Sequence, residues 1–341
     1  MNARITAPIN ATGHCRSVRG FTLIEVMVAM TIGLVILLGL TVLFSNNTRN
    51  SSELERTGRQ LEGARYAVDA LANDLHHAGF YGEINPNDLG STFTDPDPCS
   101  TNAALGWDTS GLAPIVPSAV RGVPATVDLG CLDHRLAGTE AVTVRRASTG
   151  DELTLASMTA DNLYIQVSRC SDDVKQIAAA TTSAPLTLRN LNCTAAVDSV
   201  RRYVTRTYYI ASCDDCNAND GIPTLKRVEL IDGALRTTAI AEGVENMQLE
   251  YGVDTTAPAD GNPDEYVTAA QVNGTPAARV WANVVSVRVH MLSRNTETTP
   301  GYTDPRTYQL GQVTVVPSTS VASYKRTLMT ETVRLPNVGD R

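Results

Sequence analysis

Three groups of side chains in this sequence have the types and spacing to do chemistry. Cys213-Asp214-Asp215-Cys216 sets two sulfurs three residues apart, which fits a redox pair, half of a zinc site or a short disulfide. A reactive pair needs a lowered thiol pKa, and two aspartates between the sulfurs push the other way. Zinc needs about four ligands, and none of His76, His77, His134 and His290 lies near this site in sequence. A structural disulfide is therefore expected. Asp254, Asp260, Asn262, Asp264 and Glu265 place hard oxygen donors around Gly261, which suits calcium. The spacing is not that of an EF-hand, and Pro258 and Pro263 interrupt it, so a solvated loop is expected and calcium is the alternative. The third group is a single carboxylate, Glu25, at the edge of an uncharged apolar run. A carboxylate in a bilayer costs roughly 2.5–3.5 kcal/mol on insertion scales, so it marks a function or a pairing site; snorkelling to the headgroups is the alternative.

The element that must position Glu25 is the run Val26–Phe44, 19 residues without a charge. That is close to the ~20 needed to cross a bilayer as a helix. A basic leader precedes it, with Arg4, Arg16 and Arg19 and no acid, ending at Gly20. A secretory signal is cleaved after its apolar region. Here the processing point falls before that region, so the mature chain keeps it as an N-terminal membrane helix. The leader arginines hold their side in the cytoplasm and place the remainder outside the inner membrane.

Arg19-Gly20-Phe21-Thr22-Leu23-Ile24-Glu25 resembles the processing site of type IV pilins and type II secretion pseudopilins. The resemblance implies cleavage after Gly20 by a prepilin peptidase, N-methylation of Phe21, and a register role for Glu25. In that role Glu25 pairs with the N-terminal amine of a neighbouring subunit, and the positive end of its own helix favours the carboxylate there. Leu71-Ala72-Asn73-Asp74-Leu75, Ala78-Gly79-Phe80-Tyr81-Gly82 and Gly243–Asp254 are similar to the PilW-type minor pilins.

Composition agrees with export. Removing residues 1–20 takes away three positive charges and moves the net charge from -8 to -11, a poor basis for binding nucleic acid. Of seven cysteines, Cys15 lies in the leader; Cys99, Cys131, Cys170, Cys193, Cys213 and Cys216 remain. An even number in an exported chain reads as disulfides. Six cysteines allow 15 connectivities; the sequential pairs Cys99–Cys131, Cys170–Cys193 and Cys213–Cys216 are the expectation.

Leu54, Leu61, Val68 and Leu75 recur every seven residues, with Thr57, Ala64, Leu71 and Ala78 three residues after each, an a/d seam. A helix from Phe21 to Ala78 spans roughly 87 Å at 1.5 Å per residue. Gly79 is its expected stop, Gly58 and Gly63 are expected sites of bending or melting, and His76-His77 suits the negative end. Strand-like runs follow at Ala141–Arg146, Asn162–Ser168, Ser199–Ile210, Lys226–Ile231, Met247–Val253 and Val284–Leu292. In the last, Val285, Val287, Val289 and Met291 alternate with Ser286, Arg288 and His290, the pattern of one buried face. Loops are expected at 171–184, 211–223, 254–278 and 294–306.

The expected fold is α+β and type IV pilin-like: a long N-terminal helix packed on a C-terminal antiparallel β-sheet domain. Residues 1–20 are the removed leader, 21–44 the transmembrane and assembly helix, 45–79 its amphipathic extension and 80–341 the β-rich head. No Gly-x-Ser-x-Gly, His-Glu-x-x-His or phosphate loop is present, so neither an enzyme nor a cofactor is expected. The resemblance implies a minor pilin that takes part in priming pilus assembly and sits at the pilus tip. Its partners would be other minor and major pilins, the prepilin peptidase, the inner membrane and the assembly platform, with no direct nucleic acid contact. Before assembly it would sit in the inner membrane with a periplasmic head, and afterwards in a surface pilus. A GspJ-like type II secretion pseudopilin, and a tip adhesin or DNA-uptake contact, remain as alternatives.

Overall fold

The apolar run and the seam after it form one helix, α1 (Leu23–His76), in the computed structural model, which describes residues 20–195, 197, 199–272, 277 and 279–339. Leader residues 1–19, with Cys15 and the three arginines, lie outside the described residues. The chain divides into two compact units, Met1–Glu55 and Arg56–Arg341.

In the first unit the apolar side chains are exposed, Phe21 at 86% and Phe44 at 74%. The helix carries an 18-residue window of mean hydropathy 2.7, long and apolar enough to cross a membrane. Its threonines suit such a medium because their hydroxyls are spent on the helix itself. Thr31 donates to the Val28 carbonyl at 2.9 Å and Thr41 to that of Leu37 at 2.7 Å.

In the second unit α1 buries Gln60, Ala64, Ala67, Val68, Leu71, Asp74 and Leu75. The expected seam holds from Ala64 onward, but Leu54 and Leu61 are 75% and 42% exposed. The observed stripe advances by about 3.6 residues per turn, as a single helix lying on a sheet requires. A strict seven-residue repeat drifts ~20° per heptad from that line, so its earliest positions leave the contact face. Helical structure also runs unbroken through Gly58 and Gly63, so the helix does not melt at the two sites where bending or melting was expected. At Gly63 a Cβ would meet only the Glu242 carbonyl, 3.8 Å away.

The helix ends three residues before Gly79, which has φ 76° and no room for a side chain: a Cβ would stand 3.0 Å from Val338 and 3.2 Å from Ala119. Its N–H donates to the Arg145 carbonyl at 2.9 Å, and Asn337 donates to the Ala78 carbonyl at 3.3 Å. Strands follow as β1 (Thr92–Thr94), β2 (Ile115–Pro117), β3 (Val120–Val123), β4 (Ala141–Ala147), β5 (Tyr164–Val167) and β6 (Ile177–Ala180). Next come β7 (Arg201–Ala211), β8 (Thr224–Ile231), β9 (Ala234–Glu242), β10 (Val244–Val253) and β11 (Glu265–Val267). The last are β12 (Val284–Arg294), β13 (Tyr308–Leu310), β14 (Val313–Val315) and β15 (Arg326–Arg334), then the short α2 (Pro336–Gly339).

One sheet runs β3-β4-β7-β5-β6, with β8 also on β7 and β9 on β8; a second runs β11-β10-β12-β15. All these pairings are antiparallel, and among the described strands only the short β1–β2 pair is parallel. Val68, Leu71 and Leu75 of α1 share one core with Val142, Val144, Tyr208 and Ile210 of the first sheet and Leu249, Val287 and Met291 of the second. The fold is therefore α+β, a helix seam set into the core of antiparallel sheets.

Three sequence expectations change here. β12 lies between β10 and β15 and is covered on both faces: Ser286 and His290 are 4% and 7% exposed, so its alternation does not mark a single buried face. β9 was not anticipated, yet Asp232-Gly233 between β8 and β9 adopts φ 50° and 72°, the left-handed pair of a two-residue hairpin turn. The 171–184 and 254–278 loops contain β6 and β11, and their pairing with β5 and β10 is a tertiary effect that no local pattern announces.

Candidate functional site: the N-terminal segment and its support

Gly20 and Phe21 are exposed at the start of the described chain, ahead of the first turn of α1. That turn is closed by a reciprocal cap. Glu25 Oε2 accepts from the Thr22 backbone N–H and hydroxyl, both at 2.9 Å, while the Glu25 N–H reaches Thr22 Oγ1 at 3.4 Å. Thr22-x-x-Glu25 is the Ser/Thr-x-x-Glu capping box, a signal legible in the sequence and missed there. The cap occupies one carboxylate oxygen and fixes Glu25 against its own helix start.

Asp74, in the last turns of α1, was not singled out from sequence. Its carboxylate accepts from Tyr208 at 2.6 Å, Arg146 Nη2 at 2.9 Å and Arg206 Nη1 at 2.9 and 3.0 Å. Arg206 also donates to Glu229 at 2.8 Å, which takes Arg202 at 3.1 Å. Burial raises the Asp74 pKa, but the Tyr208 hydrogen bond and the Arg206 and Arg146 charges outweigh it and hold the carboxyl below its ordinary range. This network fastens α1 to β4 and β7. His77 turns Nδ1 back to the Asn73 carbonyl at 2.7 Å, and His76 packs edge-on against it, as helix-end residues rather than catalytic ones.

The cysteines form three disulfides, Cys99–Cys131, Cys170–Cys193 and Cys213–Cys216. At the last, the structure brings in a histidine that sequence distance hid. His134 comes within 4.8 Å of both sulfurs, because Arg135 bridges to Ala211 and Ser212 donates to the His134 carbonyl. Lys226 Nζ stands 3.4 Å from Cys216 Sγ. With the sulfurs joined to each other, neither is a thiolate ligand.

The acidic loop spends its oxygens on itself. Asp254, fully buried, accepts from Thr256 and from the Gly261 N–H at 2.8 Å; Asp264 accepts from Thr255; Asp260 accepts from the Asn262 N–H. Burial raises the Asp254 pKa, and these hydrogen bonds more than offset it. The oxygens serve as turn caps, and among the described residues they do not converge on one point as a calcium site requires.

A family profile described as Type IV Pilus-assembly protein W matches residues 207–337, from within β7 through α2, and one described as a prokaryotic N-terminal methylation motif matches residues 15–41. The chain is similar to type IV pilin-like prepilins of the PilW type over these two segments. The two matches fall on the parts just described: the capped helix start with its apolar run, and the sheets that carry Tyr208, Glu229 and β12. Pilin families are structural and non-enzymatic, and the apolar helix and prepilin motif of this chain point to membrane anchoring and pilus association. A type IV-like pilin from Thermus thermophilus is similar in structure, at 11% identity and a TM-score of 0.34 over 82% of this chain and 97% of that one. A comparison with curated proteins gives no match.

Proposed function

We propose that this minor pilin joins other minor pilins in the complex that primes pilus assembly and stays at the pilus tip. The observation that carries the reading is the size of the folded unit Arg56–Arg341, a non-repetitive head that favours a low-copy position over a packed shaft. In this reading prepilin peptidase cuts after Gly20 and methylates Phe21. Glu25 then offers its carboxylate to the N-terminal amine of a neighbouring pilin, which sets axial register as subunits leave the inner membrane for the assembly platform. The capping box supports that role, because it holds the carboxylate in one place at the helix start.

The test is a Glu25→Ala strain beside a deletion strain, scored for membrane-bound protein, sheared pili and gold-labelled protein on pili. The expected outcome is normal membrane insertion, absence of the variant from sheared pili, and wild-type label confined to tips. Label spread along shafts would overturn the tip position. Normal recovery of Glu25→Ala in sheared pili would overturn the register role. A deletion strain that keeps its pili but fails to release exoproteins would favour the secretion alternative.

A further inference from the structure

Lys226 on β8 holds its ammonium in the head without a counter-ion. The residue is 9% exposed and makes no salt bridge among the described residues. Its Nζ donates to the Asp214 carbonyl at 2.9 Å and stands 3.4 Å from Cys216 Sγ of the Cys213–Cys216 disulfide. Asp220 attracts the ammonium from further off, but its carboxylate is spent on the N–H groups of Asp214, Asp215 and Ile222. A buried charge is ordinarily paired. A disulfide sulfur is neutral and leaves this one unpaired; a thiolate in the same place would pair it.

The groups around the two sulfurs suit their opening. His134 brings an imidazole nitrogen within 4.8 Å of both. It is held there by the Ser212 N–H, which donates to its carbonyl at 2.8 Å, and by the Arg135–Ala211 bridge. Its φ is 56°, a backbone region that few residues other than glycine enter. The ring is exposed and can trade protons with water. Cys213 is 2% exposed and Cys216 half-buried, so an entering reagent meets Cys216 first. The acids between and after the sulfurs are turned to other work. Asp215 accepts from the Asn217 and Ala218 N–H groups, and Asp214 Oδ1 is buried without a hydrogen-bond partner, outside ion-pair range of Lys226. The caps from Asp220 hold the turn whether the sulfurs are joined or parted. Cys170–Cys193 has the opposite setting: the Asp172 carboxylate lies within 4.8 Å of its sulfurs and repels a thiolate, while Arg189 is engaged with Asp173 and the Cys193 carbonyl.

We propose that Cys213–Cys216 is an exchangeable redox bridge opened by a dithiol reductant, with Lys226 as counter-charge to the Cys216 thiolate and His134 as proton carrier. The first thiol of the reductant gives its proton to His134 and attacks Cys216 Sγ. The bond between the two sulfurs breaks, a mixed disulfide forms at Cys216, and Cys213 leaves as a thiolate that takes the proton from His134. The second thiol loses its proton to water and attacks the reductant's own sulfur in the mixed disulfide. Cys216 then leaves as a thiolate beside Lys226. Two electrons have passed from the dithiol, now a disulfide, to the cysteine pair. The proposal is independent of whether the protein sits at the tip or primes assembly.

The test is reduction of the oxidised full chain in detergent at a series of ratios of reduced to oxidised dithiothreitol, with free thiols alkylated and located by mass spectrometry. Cys213–Cys216 should open first, at a ratio about tenfold below that of either other bridge. Lys226→Met should raise its ratio about tenfold, and Lys226→Arg, which keeps the cation, should open as the wild type does. His134→Ala should leave the ratio unchanged and slow the opening about tenfold. If Lys226→Met does not fold, the order of opening and the His134→Ala rate decide. The proposal is overturned if Cys213–Cys216 does not open first, if Lys226→Met keeps the wild-type ratio within about twofold, or if His134→Ala opens at the wild-type rate. It is also overturned if zinc ions shield the reduced pair from alkylation in the wild type but not in His134→Ala, which would make the site a metal centre.

Discussion

The carboxylate of Asp74 on α1 accepts the hydroxyl of Tyr208 on β7 at 2.6 Å, with Asp74 itself only 2% exposed. Arg146 of β4 and Arg206 of β7 share the same carboxylate, so one side chain ties the helix to two neighbouring strands. The apolar seam beside it packs Leu71 and Leu75 into the core, and the buried ion pair adds directional contacts that only one position satisfies. Asp74 thereby sets the register between the helix and the head.

Asp74→Asn keeps the shape and removes the charge, leaving Arg146 short of an anion and Arg206 with Glu229 alone. Breaking a buried pair in this way costs about 3–5 kcal/mol, and a lowered denaturant midpoint would report it. The folded carboxyl lies below its ordinary pKa, so its stabilisation is complete above the unfolded value and is lost as pH falls through the folded one. The variant should therefore lose part of the acid limb of its stability profile. A midpoint unchanged from wild type would show that the seam alone holds the helix.

Glu140 works in the opposite direction. Burial lifts its carboxyl to about 7, although the Leu249 N–H donates to it at 2.8 Å and Arg135 attracts the charge; Glu250 raises it further. Between the ordinary carboxylate value and about 7 the folded chain binds the extra proton, so stability falls as pH rises across that window. The full effect is of order ~3 kcal/mol at 1.36 kcal/mol per unit. Glu140→Gln retains an acceptor for Leu249 and should flatten the slope, as chemical denaturation at a series of pH values from 4.5 to 7 would show.

The two leucine classes on α1 separate packing from exposure. Leu71 is fully buried in the main core, and Leu71→Ala should cost about 2–5 kcal/mol. Leu61, in the same seven-residue pattern, is 42% exposed. Leu61→Ala should change head stability by less than about 0.5 kcal/mol. Equal thermal shifts for the two variants would restore the strict seam that the structure replaces.

What the sequence made legible was what depends on local order. The apolar run, the carboxylate at its edge, the stop at Gly79 and most long strands follow from spacing and residue type, and so does the capping box once Thr22 and Glu25 are paired. What it hid was brought together from afar. Asp74 meets Tyr208 across 134 residues, His134 reaches Cys213 through a bridge at Arg135, and β6 and β11 exist because β5 and β10 lie beside them. Leu54 and Leu61 misled for a geometric reason: a heptad and a straight helix part company within two repeats.

The three disulfides should differ in worth, and loop length sets the order. Cys99–Cys131 and Cys170–Cys193 close loops with separations of 32 and 23 residues, each worth about 3–4 kcal/mol as lost freedom of the unfolded chain. Cys213–Cys216 spans a separation of only 3, and its turn is held without it. Asp220 accepts from the Asp214 and Asp215 N–H groups at 3.1 and 2.8 Å, and Lys226 donates to the Asp214 carbonyl at 2.9 Å. Paired serine substitutions at each bridge, compared by thermal melting, should therefore cost least at 213 and 216. If that pair proves as costly as the other two, the bridge is holding more than its own turn, and His134 and the 131–135 segment beside it are where the excess should be traced.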